Sequence, residues 1–257
     1  VIRLGDRDVL LLDWLSRYRY ATAPQLARLC TGSSVRYLDR RLRQLCRVGY
    51  LHSARPLAGI PRIFAHTAAG AAAANRSYPK PTLSLGTVKH TLLCTDVAIS
   101  YALLGHESVS ERQVMEVDYW DGRTQVDPLT YAPFHQTGRK FPHMPDLVAL
   151  PVPDDFKVSE TLGDEAEILA TRFPFPAHPG LDGKPLPWAV EVELTTKKRP
   201  EISRVLTGYG QSRHLAGVIY YATERSTATA LSRTAQELGL LGTRVHVKRL
   251  RAHGEMR

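Results

Sequence analysis

Glu191 and Glu193 stand two residues apart in WAVEVELTTKK, residues 188–198. Side chains of an extended chain alternate, so Trp188, Val190, Val192 and Leu194 share one face and Ala189, Glu191 and Glu193 the other. Two carboxylates on one face of an apolar strand, with Lys197 and Lys198 just past its end, suit a hard divalent cation. The competing reading is an ordinary amphipathic strand whose glutamates face water. A third carboxylate, Asp146, stands in KFPHMPDLVALPV, where Leu147 to Leu150 read as a buried strand with Pro145-Asp146 at its mouth.

The elements that must position these groups follow from pattern. Residues 188–194, the apolar run 217–222 and the run 244–248 read as strands, with helix-like stretches at 200–209 and 227–238 between them, an alternation that indicates an α/β or α+β sheet domain. Upstream, 87–104 is a helix pattern containing His90, Cys94 and Asp96, and Ser110-Glu111 precedes a strand-like run from Val114 to Tyr119 that turns at Asp121-Gly122. Residues 151–187 hold seven prolines and a short acidic segment (Asp164, Glu165, Glu167), which reads as a long irregular insertion.

The first third differs in charge. Residues 1–78 carry thirteen Lys+Arg against four Asp+Glu, a net +9, whereas the remainder carries twenty-one of each. A basic module joined to a neutral one suggests that the first meets a polyanion. Its pattern gives a helix over 6–18 with Asp6 as N-cap and Val9, Leu10, Leu12 and Leu15 inward. A second helix covers 23–30, with Thr22 as cap, Pro24 in its first turn, and Leu26 and Leu29 inward. After Thr31-Gly32, Ser33 or Ser34 caps a third helix whose stripe is Val35, Leu38, Leu42 and Leu45. Opposite that stripe, Arg36, Arg40, Arg43 and Arg47 fall within roughly 60° of one another at about 100° per residue. Gly49 ends the helix. Two short strands from Tyr50 and from Arg62 follow, turning at 57–59, and then an alanine-rich helix; 79–86 reads as a linker.

No apolar run approaches the roughly 18 residues of a spanning helix, so no membrane partner is expected. Nothing at the start resembles a secretory signal, and Cys30, Cys46 and Cys94 read as buried thiols of a reducing, cytoplasmic compartment. Walker-type phosphate loops and dinucleotide glycine fingerprints are absent, as are two histidines flanking one hydrophobic residue, the spacing a histidine-cluster relaxase needs. Tyrosine-mediated cleavage by Tyr209, Tyr220 or Tyr221 is a further reading, with helix-end and strand packing as its alternative.

ATAPQLARL, the arginine-laced third helix, RVGYL and the return strand RIFAHT make residues 1–78 resemble a winged helix-turn-helix. The resemblance implies that the third helix lies in the major groove of double-stranded DNA. It makes Ser33, Ser34, Arg36, Tyr37, Arg40, Arg41, Arg43 and Arg47 contact candidates, with Arg62 on the wing. Arginine forks suit both phosphate and guanine. Residues 87–257 resemble the α/β restriction-endonuclease-like fold of PD-(D/E)xK nucleases. That resemblance implies Asp146 and Glu191 as Mg2+ or Mn2+ ligands and places Glu193, as a further ligand or a base, where lysine is usual. Lys197 or Lys198 is then a stand-in for the lysine, and Glu111 a further acidic ligand. The combination resembles the replication-relaxation proteins of plasmids and integrative elements. Implied are DNA nicking or cleavage in replication or transfer, relaxosome partners and a homodimer. The alternative is a non-catalytic DNA-binding accessory factor or regulator with a degenerate nuclease fold.

Overall fold

The computed structural model describes residues 2–30, 33–56, 58–59, 61–114, 143–153, 156, 162–178 and 183–250. The chain forms two compact units, Val1–Leu103 and Leu104–Arg257. The break expected at Thr31-Gly32 and most of the strand-like run 114–119 with its turn at 121–122 lie outside the described residues.

In the first unit, α1 (Asp6–Tyr18) is capped by Gly5 rather than Asp6, and the Asp8 carboxylate accepts the Gly5 N–H at 3.0 Å. Its buried face is Asp8, Leu11, Leu12, Leu15 and Tyr18, while Val9 and Leu10 are 39% and 41% exposed. Leu12 and Leu15 of the expected stripe are buried, whereas Leu11 and not Val9 or Leu10 completes it. The buried set includes a charged residue, Asp8, which a reading of apolar residues alone passes over. β1 (Tyr20–Thr22) leads into α2 (Ala23–Leu29) through a Thr22/Gln25 capping box with Pro24 in the first turn.

α3 (Val35–Arg47) starts where Ser34 Oγ accepts the Tyr37 N–H at 3.2 Å. Leu38, Leu42 and Leu45 are fully buried; Val35, one turn earlier, projects past the core and is 46% exposed. The helix stops at Gly49, whose φ of +85° only glycine adopts readily, and Tyr50 N–H reaches back to Leu45 O. β2 (Leu51–Ala54) and β3 (Ile63–His66) pair antiparallel, and β1 adds to the other edge of β3, giving the order β1-β3-β2. β3 is therefore buried throughout.

α4 (Ala68–Ala73) and α5 (Val88–Leu103) complete this unit. α5 was expected to open the second domain at residue 87. Instead Gln25 Nε2 donates to Leu92 O at 2.7 Å, Arg28 pairs with Asp96 at 3.3 Å, and Thr95 Oγ1 donates to Tyr20 O at 3.3 Å. Contacts spanning some seventy residues of sequence leave no local signature, so the boundary falls after this helix.

The second unit is a five-stranded mixed sheet, order β4-β5-β6-β7-β8. β4 (Ser108–Ser110), β5 (Leu147–Ala149) and β6 (Trp188–Glu193) are antiparallel neighbours, whereas β6, β7 (Gly217–Ala222) and β8 (Val245–Arg249) run parallel. Ser110 ends β4 and caps a helical turn over 111–114, so a strand does not start at Val114. Parallel strands need crossovers, supplied here by α7 (Arg199–Gln211) and α8 (Arg225–Glu237). Between β5 and β6, α6 (Asp164–Arg172) forms inside the stretch expected to be irregular. Phe173 then packs on Tyr221, and Trp188 Nε1 donates to Pro176 O at 2.8 Å.

Every residue of β6 and β7 is buried, as expected of strands covered on both faces. Ala189, Val218, Tyr220 and Ala222 meet Ile202, Val205, Leu206 and Tyr209 of α7 and Leu231 and Ala235 of α8. Glu191 and Glu193 lie on this helix-covered side of β6.

Candidate functional site

Register brings the acidic residues together. β5 runs antiparallel to β6 with Leu147 opposite Val190, so Asp146 comes opposite Glu191 at the end of the sheet where β6 finishes. The Val192 N–H donates to Asp146 Oδ2 at 2.8 Å, which holds that carboxylate over β6. Glu191 and Glu193 are only 3% and 8% exposed, so the reading of glutamates facing water fails. Glu111 lies beside Asp146 at the same edge, its N–H donating to Asp146 O at 3.3 Å.

Each carboxylate has its own partner. Tyr209 Oη donates to Glu191 Oε1 at 2.6 Å, and His143 Nε2 pairs with the same oxygen. Burial pushes the Glu191 carboxyl up, but the His143 charge and hydrogen bond, the Tyr209 hydroxyl and Lys197 outweigh it and hold it below the ordinary value. Burial likewise disfavours charge on His143, yet Glu191 raises its pKa. Both shifts describe the same ionised pair.

Lys197 Nζ lies 2.6 Å from Glu193 Oε1. Burial raises the Glu193 pKa despite Lys197, with the charges of Glu191 and Asp146 adding to the effect. Burial opposes charge on Lys197, but the Glu193 hydrogen bond and the charges of Glu191, Glu193 and Asp146 raise its pKa. Lys197 is thus an ammonium and not a free-amine base. Glu193 is the better proton acceptor of the two.

Carboxylate oxygens are the donors a hard divalent ion takes, so the chemistry of Asp146, Glu191 and Glu193 fits Mg2+ or Mn2+. Among the described residues, however, oxygens of all three do not come together within 4.8 Å. An ion there competes with His143 and Lys197, whose positive charges now balance two of the three carboxylates.

His143 and Tyr209 were not anticipated as parts of this cluster. Tyr209 was legible in principle: it continues the Ile202, Val205, Leu206 stripe of α7, and a buried hydroxyl needs a partner. His143 lies three residues before Asp146 with no periodic signal to mark it. Tyrosine-mediated cleavage is not supported, because Tyr209, Tyr220 and Tyr221 are 0%, 3% and 1% exposed and Tyr209 is bound to Glu191.

In the first unit, Arg36, Arg40, Arg43 and Arg47 are exposed along α3. Arg40 lies over the Tyr37 ring, 5.6 Å from its centroid, and Arg43 pairs with Asp39. Arg41 is a correction to the contact set. Its Nε and Nη2 donate to the two Asp8 oxygens at 2.9 and 2.6 Å, and Nη2 also reaches Arg3 O at 3.1 Å. It is a strut between α1 and α3. Ser34 is committed to the helix cap, and Ser33 Oγ is buried with no hydrogen-bond partner among the described residues. Arg36, Arg43, Arg62 and Arg55, the last not anticipated, line one groove between α3 and the β2–β3 hairpin.

The chain matches no family model and no curated protein. Among the described residues, no helix is long and apolar enough to cross a membrane.

Proposed function

We propose that this is a DNA-processing protein of plasmid or integrative-element replication or transfer. In this reading the first unit, a winged helix-turn-helix, holds double-stranded DNA through α3 and the hairpin. The second unit, a PD-(D/E)xK-type nuclease domain, nicks or cuts phosphodiester bonds. The observation that carries the reading is the meeting of Asp146, Glu191, Glu193 and Lys197 at one end of one sheet, with the lysine ammonium influenced by all three carboxylates.

Asp146 and Glu191 are the residues that would hold Mg2+ or Mn2+. When bound, such an ion lowers the pKa of water and offsets charge on the phosphoryl oxygens. Glu193, buried on the same strand two residues from Glu191, is the carboxylate that takes the proton of the attacking water. The Lys197 ammonium faces the negative charge of the phosphodiester. Tyr209 and His143 fix the orientation of Glu191. Incubation with supercoiled plasmid and Mn2+ tests this: the wild type is expected to nick, and Glu191→Gln to bind DNA without nicking. Clean binding by both, with no cut under either metal, would remove the catalytic reading.

One observation favours the alternative of a non-catalytic DNA-binding accessory factor. The carboxylates are paired as they stand, Glu191 with Tyr209 and His143, Glu193 with Lys197, which is how a retired site persists as a structural network.

A further inference from the structure

A second groove, of about 660 Å3, opens on the second unit beside the start of α7 and α8. Lys197, Arg199, Arg225 and Arg233 line it together with Thr196 and Thr229, and none of the described residues lining it is acidic. From outside the lining, Glu237 pairs with both Arg199 at 2.6 Å and Arg233 at 3.2 Å, so one carboxylate serves two guanidinium groups. Arg225 is exposed and has no ion-pair partner among the described residues. The groove therefore keeps a net positive charge in a unit whose overall charge is near balance.

Its chemistry and dimensions select a ligand class. Guanidinium forks match phosphate oxygens in geometry as well as in charge. Arg225 and Arg233 sit eight residues apart on one helix, roughly 12 Å along its axis, which suits two separate phosphates of one chain better than one small anion. The hydroxyls contribute less, since Thr229 Oγ1 already donates to Arg225 O at 2.9 Å and Thr196 bonds Thr227 at 2.8 Å. Recognition therefore falls on the cations and carries no information about base sequence. Lys197 belongs both to this lining and to the carboxylate cluster.

We propose that this groove binds the sugar–phosphate backbone of a DNA strand and leads it to Asp146, Glu191 and Glu193. The strand's route to the cluster rests on the nuclease reading above; the binding itself does not.

The test uses the full chain in EDTA, so that nothing is cut, with fluorescent single-stranded and duplex oligonucleotides followed by anisotropy across a salt series. Arg36→Ala with Arg43→Ala and Arg62→Ala first suppresses binding by the first unit. In that background, Arg225→Glu with Arg233→Glu is expected to weaken single-strand binding at least tenfold. It should also flatten the log–log salt dependence by about 1.4, near 0.7 for each lost phosphate contact. Arg225→Lys with Arg233→Lys should keep the slope, which separates lost charge from lost folding. Unchanged affinity and slope for both forms of DNA would overturn the proposal. In Mn2+ the two readings part: an inert chain whose glutamate variant still loses DNA removes the nuclease and keeps the groove. Normal cleavage and binding by that variant does the reverse.

Discussion

The two units handle charge in opposite ways. α3 carries its arginines in water, where Arg36, Arg40, Arg43 and Arg47 are exposed and, among the described residues, only Asp39 pairs with one of them. The end of β6 hides its charges, with Glu191 and Glu193 below a tenth exposed and each tied to a cation. An exposed guanidinium costs little to keep and is available to a polyanion. A buried carboxylate is costly unless paired, so its retention on an otherwise apolar strand needs a reason beyond packing. Arg41 sharpens the contrast, because it lies on the same helix as the other arginines and yet serves the interior through Asp8.

The largest effect should follow from exchanging a residue on each side of that contrast. Glu191→Gln is expected to abolish cleavage while leaving duplex affinity within twofold of wild type. Arg36→Ala with Arg43→Ala should weaken duplex binding and leave Mn2+ uptake intact. A loss of both activities in both variants would mean that the units do not divide the work.

Next in size is the buried pair on α1 and α3. Arg41→Met leaves Asp8 buried without its cation and is expected to cost on the order of 3 kcal/mol in urea unfolding. Arg43→Ala, whose partner Asp39 is on the surface, should cost less than about 1 kcal/mol. Equal costs would show that Arg41 is not the strut described.

Tyr209→Phe removes one hydroxyl from Glu191 and is expected to lower activity or metal affinity about 10- to 100-fold while the fold persists. A smaller effect would place Tyr209 in packing alone.

The pH dependence of stability should run in opposite senses at the two places. Hydrogen bonds from Arg41 and Gly5 outweigh burial and hold the Asp8 carboxyl below its usual range. Its contribution is therefore complete above the unfolded value, near 4, and is lost as pH falls through the folded one. Despite its burial, His143 has its pKa raised by Glu191. Its contribution is complete below the unfolded value, near 6.5, and is lost as pH rises through the folded one. Urea titrations of Asp8→Asn and His143→Gln against wild type in EDTA should show these two windows; a shared window would contradict the assigned partners.

Legibility in the sequence followed the length of each periodic signal. α3 and β6 were readable because Leu38, Leu42, Leu45 and the alternation from Trp188 to Glu193 repeat over several turns or pleats. β1 was missed because three residues between two helices show no alternation, and α6 because prolines frame it. The placement of α5 depends on Gln25, Arg28 and Thr95, whose partners are distant in sequence. In the cluster, the three carboxylates and Lys197 were named from sequence. Their partners His143 and Tyr209 became visible only when register and helix packing set them against Glu191.

Asp146 and Glu191 are proposed to form one ion-binding place at the end of β6. Mn2+ binding to the full chain, followed by loss of the free-ion paramagnetic resonance signal, tests it most directly. Saturable uptake by wild type and by Arg36→Ala with Arg43→Ala, absent from Asp146→Asn with Glu191→Gln, is the expected result. Equal uptake with and without the two carboxylates, or none by wild type, would contradict the claim.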